Sequence, residues 1–157
     1  MKKEEKTNVM RLLDAAKIAY TPHSYDPSIT DGQSIAAILG EDPNATLKTL
    51  VTVSDSKKNY VFVIPVKCEL DLKACARAAG EKSISMIHQK ELLPLTGYIH
   101  GGCSPVGMKK RFPTFFDASC KDLKTITLSA GKVGRQITVG TLDFMKLCSA
   151  EFADLTR

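Results

Sequence analysis

A glycine-rich stretch at residues 98–113 carries the residue types best suited to chemistry in this sequence. Gly101 and Gly102 have no Cβ, so their backbone tolerates positive φ and leaves amide N–H groups free to face an oxygen atom. A cationic run of Lys109, Lys110 and Arg111 follows them. The stretch predicts a loop that approaches a negatively charged ligand, and the alternative is a surface loop with a solvated basic tail.

Two other short segments could contribute to the same site. Lys48 and Thr49 begin a stretch that alternates apolar and polar residues, and residues 129–134 combine Ser129 with two glycines and a lysine. Alternation of this kind is typical of a strand, and the glycines indicate a bend. Lys48 is therefore expected at the start of a strand, and Ser129 at the start of a bend.

The usual signatures of nucleophilic catalysis do not explain these segments. Ser104 lies in Gly-Cys-Ser-Pro-Val, where Val106 stands in place of the second glycine of a nucleophile elbow and Pro105 has no N–H to donate. The Ser-x-x-Lys pattern at residues 129–132 needs a helical turn to bring the amine beside the hydroxyl. The glycines there favour a bend instead, so we expect no protein nucleophile.

Metal and cofactor motifs are also missing from the sequence. His23, His88 and His100 are scattered without the spacing of metal ligands, and Gly107 is followed by methionine rather than the lysine of a phosphate-binding loop. Cys103 is interpreted as a small wall residue near the site, since nothing in the sequence marks it as an activated thiol. We expect neither a metal nor a cofactor.

Length and composition limit the architecture and the partners. A chain of 157 residues with 43% hydrophobic content predicts one domain, residues 1–157, that buries roughly 70% of its unfolded surface. The 22 Lys and Arg against 17 acids give a charge of +5, which suits a polyanionic partner. Five cysteines without a Cys-x-x-Cys pair indicate reduced thiols. With a charged N-terminus and no long apolar run, we expect a cytoplasmic protein with no membrane partner.

Periodicity predicts an alternation of short helices and strands without regular βαβ units. The predicted helices cover residues 8–19, 31–39, 70–79, 89–93 and 141–148, the fourth being broken by Pro94. The predicted strands cover residues 20–25, 47–54, 60–65, 83–87, 114–117, 125–129 and 135–139, with a bend at 129–134. We predict a mixed α+β fold, with a curved, barrel-like sheet surrounded by helices.

Three segments together resemble the signatures of the YbaK/EbsC family. These are Leu-Lys-Thr-Leu-Val at residues 47–51, the glycine-rich stretch from residue 97 to residue 111, and Ser-Ala-Gly-Lys-Val-Gly at residues 129–134. The similarity spans nearly the whole chain in the family's order. Members are free-standing aminoacyl-tRNA deacylases related to the editing domain of bacterial prolyl-tRNA synthetase.

The resemblance implies a barrel-like domain with a pocket for the 3′ end of a mischarged tRNA. Carried over residue by residue, it implies catalytic roles for Lys48, Gly101, Gly102 and Ser129. The substrate-binding residues are then Tyr25, Asp31, Thr49, Ser104, Gly131 and Gln136. Contacts to the tRNA backbone are expected from Lys109, Lys110, Arg111, Lys132 and Arg135, which give affinity without reading sequence.

For relatives that clear cysteine, the resemblance implies that the substrate's own thiol attacks the ester and leaves as a thiolactone, a lyase-type reaction. A tethered and well-oriented thiol has an effective molarity of about 10⁵ to 10⁸ M, so positioning alone can lower the barrier. Asp31 and Gln136 depart from such relatives, which often have phenylalanine and aspartate there. A relative that clears alanine could instead use water, as a hydrolase.

Two classes of function therefore remain open at the level of sequence. The first is a trans-editing enzyme for mischarged tRNA, most readily cysteinyl-tRNA(Pro), with prolyl-tRNA synthetase as a partner that supplies tRNA specificity. The second is a non-catalytic module whose basic pocket binds tRNA ends or nucleotides. Release of the amino acid from charged tRNA distinguishes the two.

Overall fold

The computed structural model describes residues 5–157, in which short helices alternate with short strands. The helices are α1 (Asn8–Ala15), α2 (Gly32–Leu39), α3 (Leu72–Ala79), α4 (Gln89–Thr96) and α5 (Thr141–Cys148). The strands are β1 (Tyr20–Ser24), β2 (Leu47–Ser54), β3 (Asn59–Pro65), β4 (Ile84–Met86), β5 (Thr114–Asp117), β6 (Thr125–Lys132), β7 (Arg135–Gly140) and β8 (Glu151–Ala153). No helix in this range is long and apolar enough to cross a bilayer.

The strands form two sheets, which confirms the predicted mixed α+β class. One sheet has the order β4-β2-β3-β5-β8, with antiparallel pairs on one side of β3 and parallel pairs on the other. The second has the antiparallel order β1-β7-β6. A bridge between Thr46 and Thr127 joins the sheets. Within the described residues they remain two sheets and do not close into a barrel.

After Asn59, the central strand β3 is apolar because both of its faces are buried. Val61 and Val63 face a core cluster that also receives α1 and the inner face of the small sheet. Phe62 and Ile64 point the other way, into a second cluster covered by α3. A strand that is buried on both faces loses the alternation of apolar and polar residues. Because β3 is held in the core and pairs with β2, it fixes the position of β2. The first residues of β2 include Lys48 and Thr49.

Helix α1 ends earlier than periodicity predicts, at Ala15 rather than at residue 19. Lys17 adopts a φ of 59°, its N–H donates to the Asp14 carbonyl, and the Ile18 N–H donates to the Leu13 carbonyl. This is the hydrogen-bond pattern of a Schellman cap, in which a left-handed residue terminates the helix. A lysine carries none of the glycine signal that usually marks such an end, so the sequence pattern misses it.

Three further differences concern α4, β6 and the end of the chain. Pro94 lies inside the last turn of α4 rather than breaking the helix before it. Strand β6 runs through the predicted bend to Lys132, with a bulge after Ser129 that leaves only a tight turn before β7. Strand β8 was not predicted, since three residues are too few to show alternation.

A buried carboxylate lies where α2 meets the small sheet. Gly40 caps α2 in the left-handed conformation, and the Glu41 N–H then donates to the Ala36 carbonyl. Both carboxylate oxygens of Glu41 are buried without a well-formed hydrogen bond. Burial raises the pKa of Glu41 above its ordinary value of 4.5, while the Thr127 hydroxyl and His23 oppose that rise.

We expect Glu41→Gln to stabilise the protein at pH 7. A raised pKa in the folded state means that the stability from Glu41 is fully present below pH 4.5 and is lost as the pH rises through the folded pKa. The gain from Glu41→Gln should therefore shrink as the pH falls from the raised folded pKa toward 4.5, and it should be smallest below 4.5. Urea unfolding at pH 4 and pH 7 measures this, with exposed Glu151→Gln as the control. A gain for Glu41→Gln that is independent of pH would contradict the assignment.

Candidate active site

One cleft gathers much of the predicted site and has a volume of about 210 Å³. Its walls come from the N-terminus of α2, the start of β2, the loop after α4, and the paired strands β6 and β7. Of the predicted catalytic and substrate-binding residues, those that line it are Tyr25, Asp31, Lys48, Thr49, Gly101, Ser129 and Gln136. These residues are far apart in the sequence, and the topology of the two sheets brings them together.

Asp31 and Lys48 place opposite charges in this cleft. The Asp31 carboxylate caps α2 by accepting hydrogen bonds from the Ser34 backbone N–H at 3.0 Å and the Ser34 hydroxyl at 2.7 Å. These hydrogen bonds lower the pKa of Asp31, and the positive charge of Lys48 lowers it further. Asp31 is therefore an ionised capping residue, unsuited to donate a proton at neutral pH. Lys48 itself is half-buried at the start of β2.

Ser129 and Gln136 belong to the β6–β7 wall of the cleft. They are directly paired across the two antiparallel strands, so their side chains lie on the same face of the sheet. The Ser129 hydroxyl oxygen accepts from the Gly131 N–H at 3.0 Å, which leaves its O–H able to donate. Gln136 Oε1 and Thr49 Oγ1 are buried and accept no hydrogen bond from the described residues.

Cys103 and His100 also line the cleft, although no catalytic or binding role was assigned to them. Cys103 is 9% exposed, and burial raises the pKa of its thiol to about 12. It is therefore a neutral thiol at pH 7 and not an activated nucleophile, which agrees with its interpretation as a wall residue. His100 lies at the exposed rim beside Gly101. Its position directly before the two glycines was the only sequence signal for it.

Three of the predicted residues lie outside the cleft lining. The Gly102 N–H donates to the Ile99 carbonyl at 3.0 Å, so this amide is already paired. A Cβ on Gly102 would lie 2.9 Å from the backbone nitrogen of Val133. The Ser104 hydroxyl is fully buried and accepts from the Val106 N–H. Gly131 faces Val9, 2.9 Å from the position of a Cβ. These residues shape the loop and the bulge rather than face a ligand.

Tyr98 holds the glycine-rich loop in place. Its hydroxyl donates to the Val106 carbonyl across the base of the loop. Cβ atoms on Gly107 and Gly131 would lie 2.7 Å from the Tyr98 hydroxyl and 3.2 Å from its ring, respectively. Glycine at these two positions lets the buried tyrosine pack between the loop and the β6 bulge. The loop that carries Gly101 is thereby attached to the strand that carries Ser129.

The predicted tRNA-binding cations do not line the cleft. Lys109, Lys110, Arg111 and Lys132 are exposed. Lys110 and Arg111 line a separate groove beside α1 and the end of α5. Arg135 is half-buried, and its guanidinium donates to the Glu5 carbonyl at 3.0 Å. Among residues 5–157 no group of three or more His, Cys, Asp or Glu side chains could hold a metal ion.

Comparison with known proteins identifies the family. Residues 26–147 match the sequence profile of the aminoacyl-tRNA editing domain. The chain belongs to this family. It is also 40% identical over 157 residues to EbsC of Enterococcus faecalis, covering 99% of the chain and 96% of the relative. That relative is named as a candidate Cys-tRNA(Pro)/Cys-tRNA(Cys) deacylase. The predicted membership of the YbaK/EbsC family is confirmed.

Solved structures show the same editing-domain fold. The crystal structure of the protein APE2540 superposes with a TM-score of 0.86 at 21% identity, covering 95% of this chain and 99% of that one. A candidate trans-editing enzyme for prolyl-tRNA synthetase superposes with a TM-score of 0.82 at 21% identity, covering 98% and 99%. At this level of identity the likeness establishes the fold.

We expect Gly102→Ala to destabilise the editing domain by about 1–3 kcal/mol, the usual cost of overpacking. The added Cβ would meet backbone atoms of Lys132 and Val133 at 2.9–3.3 Å, and a backbone cannot rotate away as a side chain can. The matched control is Gly140→Ala, whose Cβ meets only the flexible Asp143 carboxylate at 3.4 Å. Its effect should stay below about 1 kcal/mol. Equal unfolding free energies for the two variants in urea would contradict this account.

Proposed function

We propose that the chain is a trans-editing enzyme that releases the amino acid from mischarged tRNA, with cysteinyl-tRNA(Pro) as the foremost substrate. The observation that carries the proposal is one cleft lined by Lys48, Gly101 and Ser129, within a chain of the editing-domain family. The name of the Enterococcus relative supports the same substrate. The domain acts as one unit in the cytoplasm, where charged tRNA is found.

The cleft supplies positioning groups without an activated protein nucleophile. The Cys103 thiol is neutral, and the Asp31 carboxylate already accepts two hydrogen bonds. Lys48 provides a positive charge, Ser129 can donate its O–H, and the N–H of Gly101 is the candidate donor on the loop. These groups can orient an ester and stabilise negative charge that develops on its carbonyl oxygen. Such a site suits a reaction in which the substrate carries its own nucleophile.

In the proposed step, the cysteine sulfur of the substrate attacks the carbonyl carbon of its own ester. A carbon–sulfur bond forms and the carbon–oxygen bond to the ribose breaks. The proton of the thiol ends on the ribose oxygen, so the products are cysteine thiolactone and uncharged tRNA. No oxidant or added nucleophile is needed, because both reacting groups belong to one aminoacyl unit held in a fixed orientation.

Affinity for tRNA would come from exposed cations near the glycine-rich loop and the β6–β7 turn. Lys109, Lys110, Arg111 and Lys132 are exposed, and phosphate contacts by such side chains bind without reading sequence. Arg135 already binds the carbonyl of Glu5, so we assign it to the protein's own packing. A surface of this kind fixes the acceptor end and leaves the anticodon unread.

We expect Lys48→Ala to lower the rate of deacylation at least about 100-fold with the fold intact. The loss is of the size seen when one group that stabilises developing negative charge is removed. The measurement is release of labelled cysteine from cysteinyl-tRNA(Pro), with Lys73→Ala as control. Lys73 is an exposed residue of α3 outside the cleft, and its variant should keep full activity. A fully active Lys48→Ala would remove Lys48 from the site.

The identity of the amino acid is tested with a panel of cysteinyl-, alanyl- and prolyl-tRNA(Pro). We expect cysteine to be released fastest and to appear first as thiolactone, identified by mass spectrometry before it hydrolyses. Rapid release of alanine would instead assign the enzyme to hydrolysis by water, because alanine has no nucleophile of its own. If all three charged tRNAs lose their amino acid only at the spontaneous rate, the protein is a tRNA-binding module without deacylase activity.

We also propose that prolyl-tRNA synthetase supplies the tRNA specificity that the exposed cations lack. The isolated protein should then release cysteine from tRNA(Pro) and tRNA(Cys) at similar rates. Adding prolyl-tRNA synthetase should raise the rate for cysteinyl-tRNA(Pro) alone. Strong discrimination between the two tRNAs by the isolated protein would argue against this partner.

A further inference from the structure

Gln136, in the wall of the cleft, has a side-chain amide oxygen that lacks a hydrogen-bond donor. Gln136 is 6% exposed, yet its Oε1 accepts no hydrogen bond from the described residues. Leaving such a buried amide oxygen unpaired costs about 1–3 kcal/mol. A half-turn about the terminal Cγ–Cδ bond exchanges Oε1 with Nε2, so the amide can turn its acceptor toward a bound group. This cost is recovered when a ligand supplies the missing donor.

The balance of donors and acceptors in the cleft indicates which group of the substrate meets Gln136. Lys48 and the Ser129 O–H are donors, and Oδ2 of the exposed Asp31 carboxylate already accepts two hydrogen bonds from Ser34. Among the buried side-chain atoms of the described lining residues, the acceptors without a hydrogen bond are Gln136 Oε1 and Thr49 Oγ1. In an aminoacyl ester the carbonyl oxygen needs donors, whereas the α-amino group is itself a donor with up to three N–H bonds. The acceptors therefore suit the α-amino group.

We infer that Gln136 accepts a hydrogen bond from the free α-amino group of the aminoacyl ester. The inference rests on the proposed function, and it narrows the substrate class to aminoacyl-tRNA with an unmodified amine. An N-acylated end, as in N-acetylaminoacyl-tRNA or peptidyl-tRNA, has lost the charge and most of the donors of the amine. It also adds bulk against the β6–β7 wall. Gln136 thus acts as a specificity residue that protects chains carrying a growing peptide.

The test compares cysteinyl-tRNA(Pro) with N-acetylcysteinyl-tRNA(Pro), both of which keep the thiol. Each enzymatic rate is divided by the spontaneous rate of the same tRNA, because acetylation also changes the reactivity of the ester. The wild-type protein should favour the free amine at least about tenfold, the size expected for one hydrogen bond to a charged group. Gln136→Met, which keeps the length of the side chain but has no oxygen, should lose most of this preference by slowing only the free amine. Gln136→Glu retains an acceptor and should restore the preference.

Different results would overturn the role of Gln136 and the proposed function. Equal normalised rates for the two substrates with the wild-type protein would overturn the role of Gln136 while leaving deacylation intact. A Gln136→Met variant that slows both substrates equally, or that keeps the wild-type preference, would also overturn it. A wild-type protein inert toward cysteinyl-, alanyl- and prolyl-tRNA would overturn the proposed function itself. Thermal unfolding of both variants shows whether the comparison is made on folded protein.

Discussion

The close approach of two backbone segments supports the arrangement of the candidate active site. Gly102 lies so near the turn between β6 and β7 that a Cβ would be 2.9 Å from the Val133 nitrogen. Tyr98 packs against Gly107 and Gly131 and donates to the Val106 carbonyl, so the loop is held to the β6 bulge from both sides. Gly101 is thereby placed opposite Ser129 without any direct bond between them. The glycines allow the loop to contact the β6–β7 segment of the same chain. A larger residue in either segment would separate the walls of the cleft.

The electrostatics of the cleft favour orientation over proton transfer. Asp31 is held ionised by Ser34 and Lys48, and Cys103 is held neutral by burial. Neither group is poised near neutral pH, as a general acid or base would be. The Lys48 charge remains available to a ligand in a half-buried setting, where it is screened less than at an open surface. The charges of the cleft therefore suit the orientation of a ligand better than proton transfer, as the proposed reaction requires.

Asp31 and Gln136 show how the same fold can change the chemistry of its pocket. Asp31 caps α2 and contributes a charge beside Lys48, where an aromatic ring would have offered an apolar surface. Gln136 presents a neutral amide on β7, next to the Ser129 hydroxyl across the strand pair. Asp31 caps a helix and Gln136 lies in a paired strand, so the backbone at both positions is fixed by hydrogen bonds. In the proposed function, these two side chains contribute to the choice of the amino acid that is cleared.

The sequence by itself determined the α+β class, the approximate positions of most elements, and the family. These follow from local patterns: apolar periodicity, turn residues and the short glycine motifs at residues 97–111 and 129–134. Tertiary structure alone decided which predicted residues share the cleft and which glycines face protein instead of ligand, because both depend on contacts between distant segments. It also decided the early end of α1 at a left-handed lysine and the addition of β8, since neither leaves a local signal. Gln136 illustrates the division: its presence is read from the sequence, but its unpaired oxygen exists only in the packed sheet.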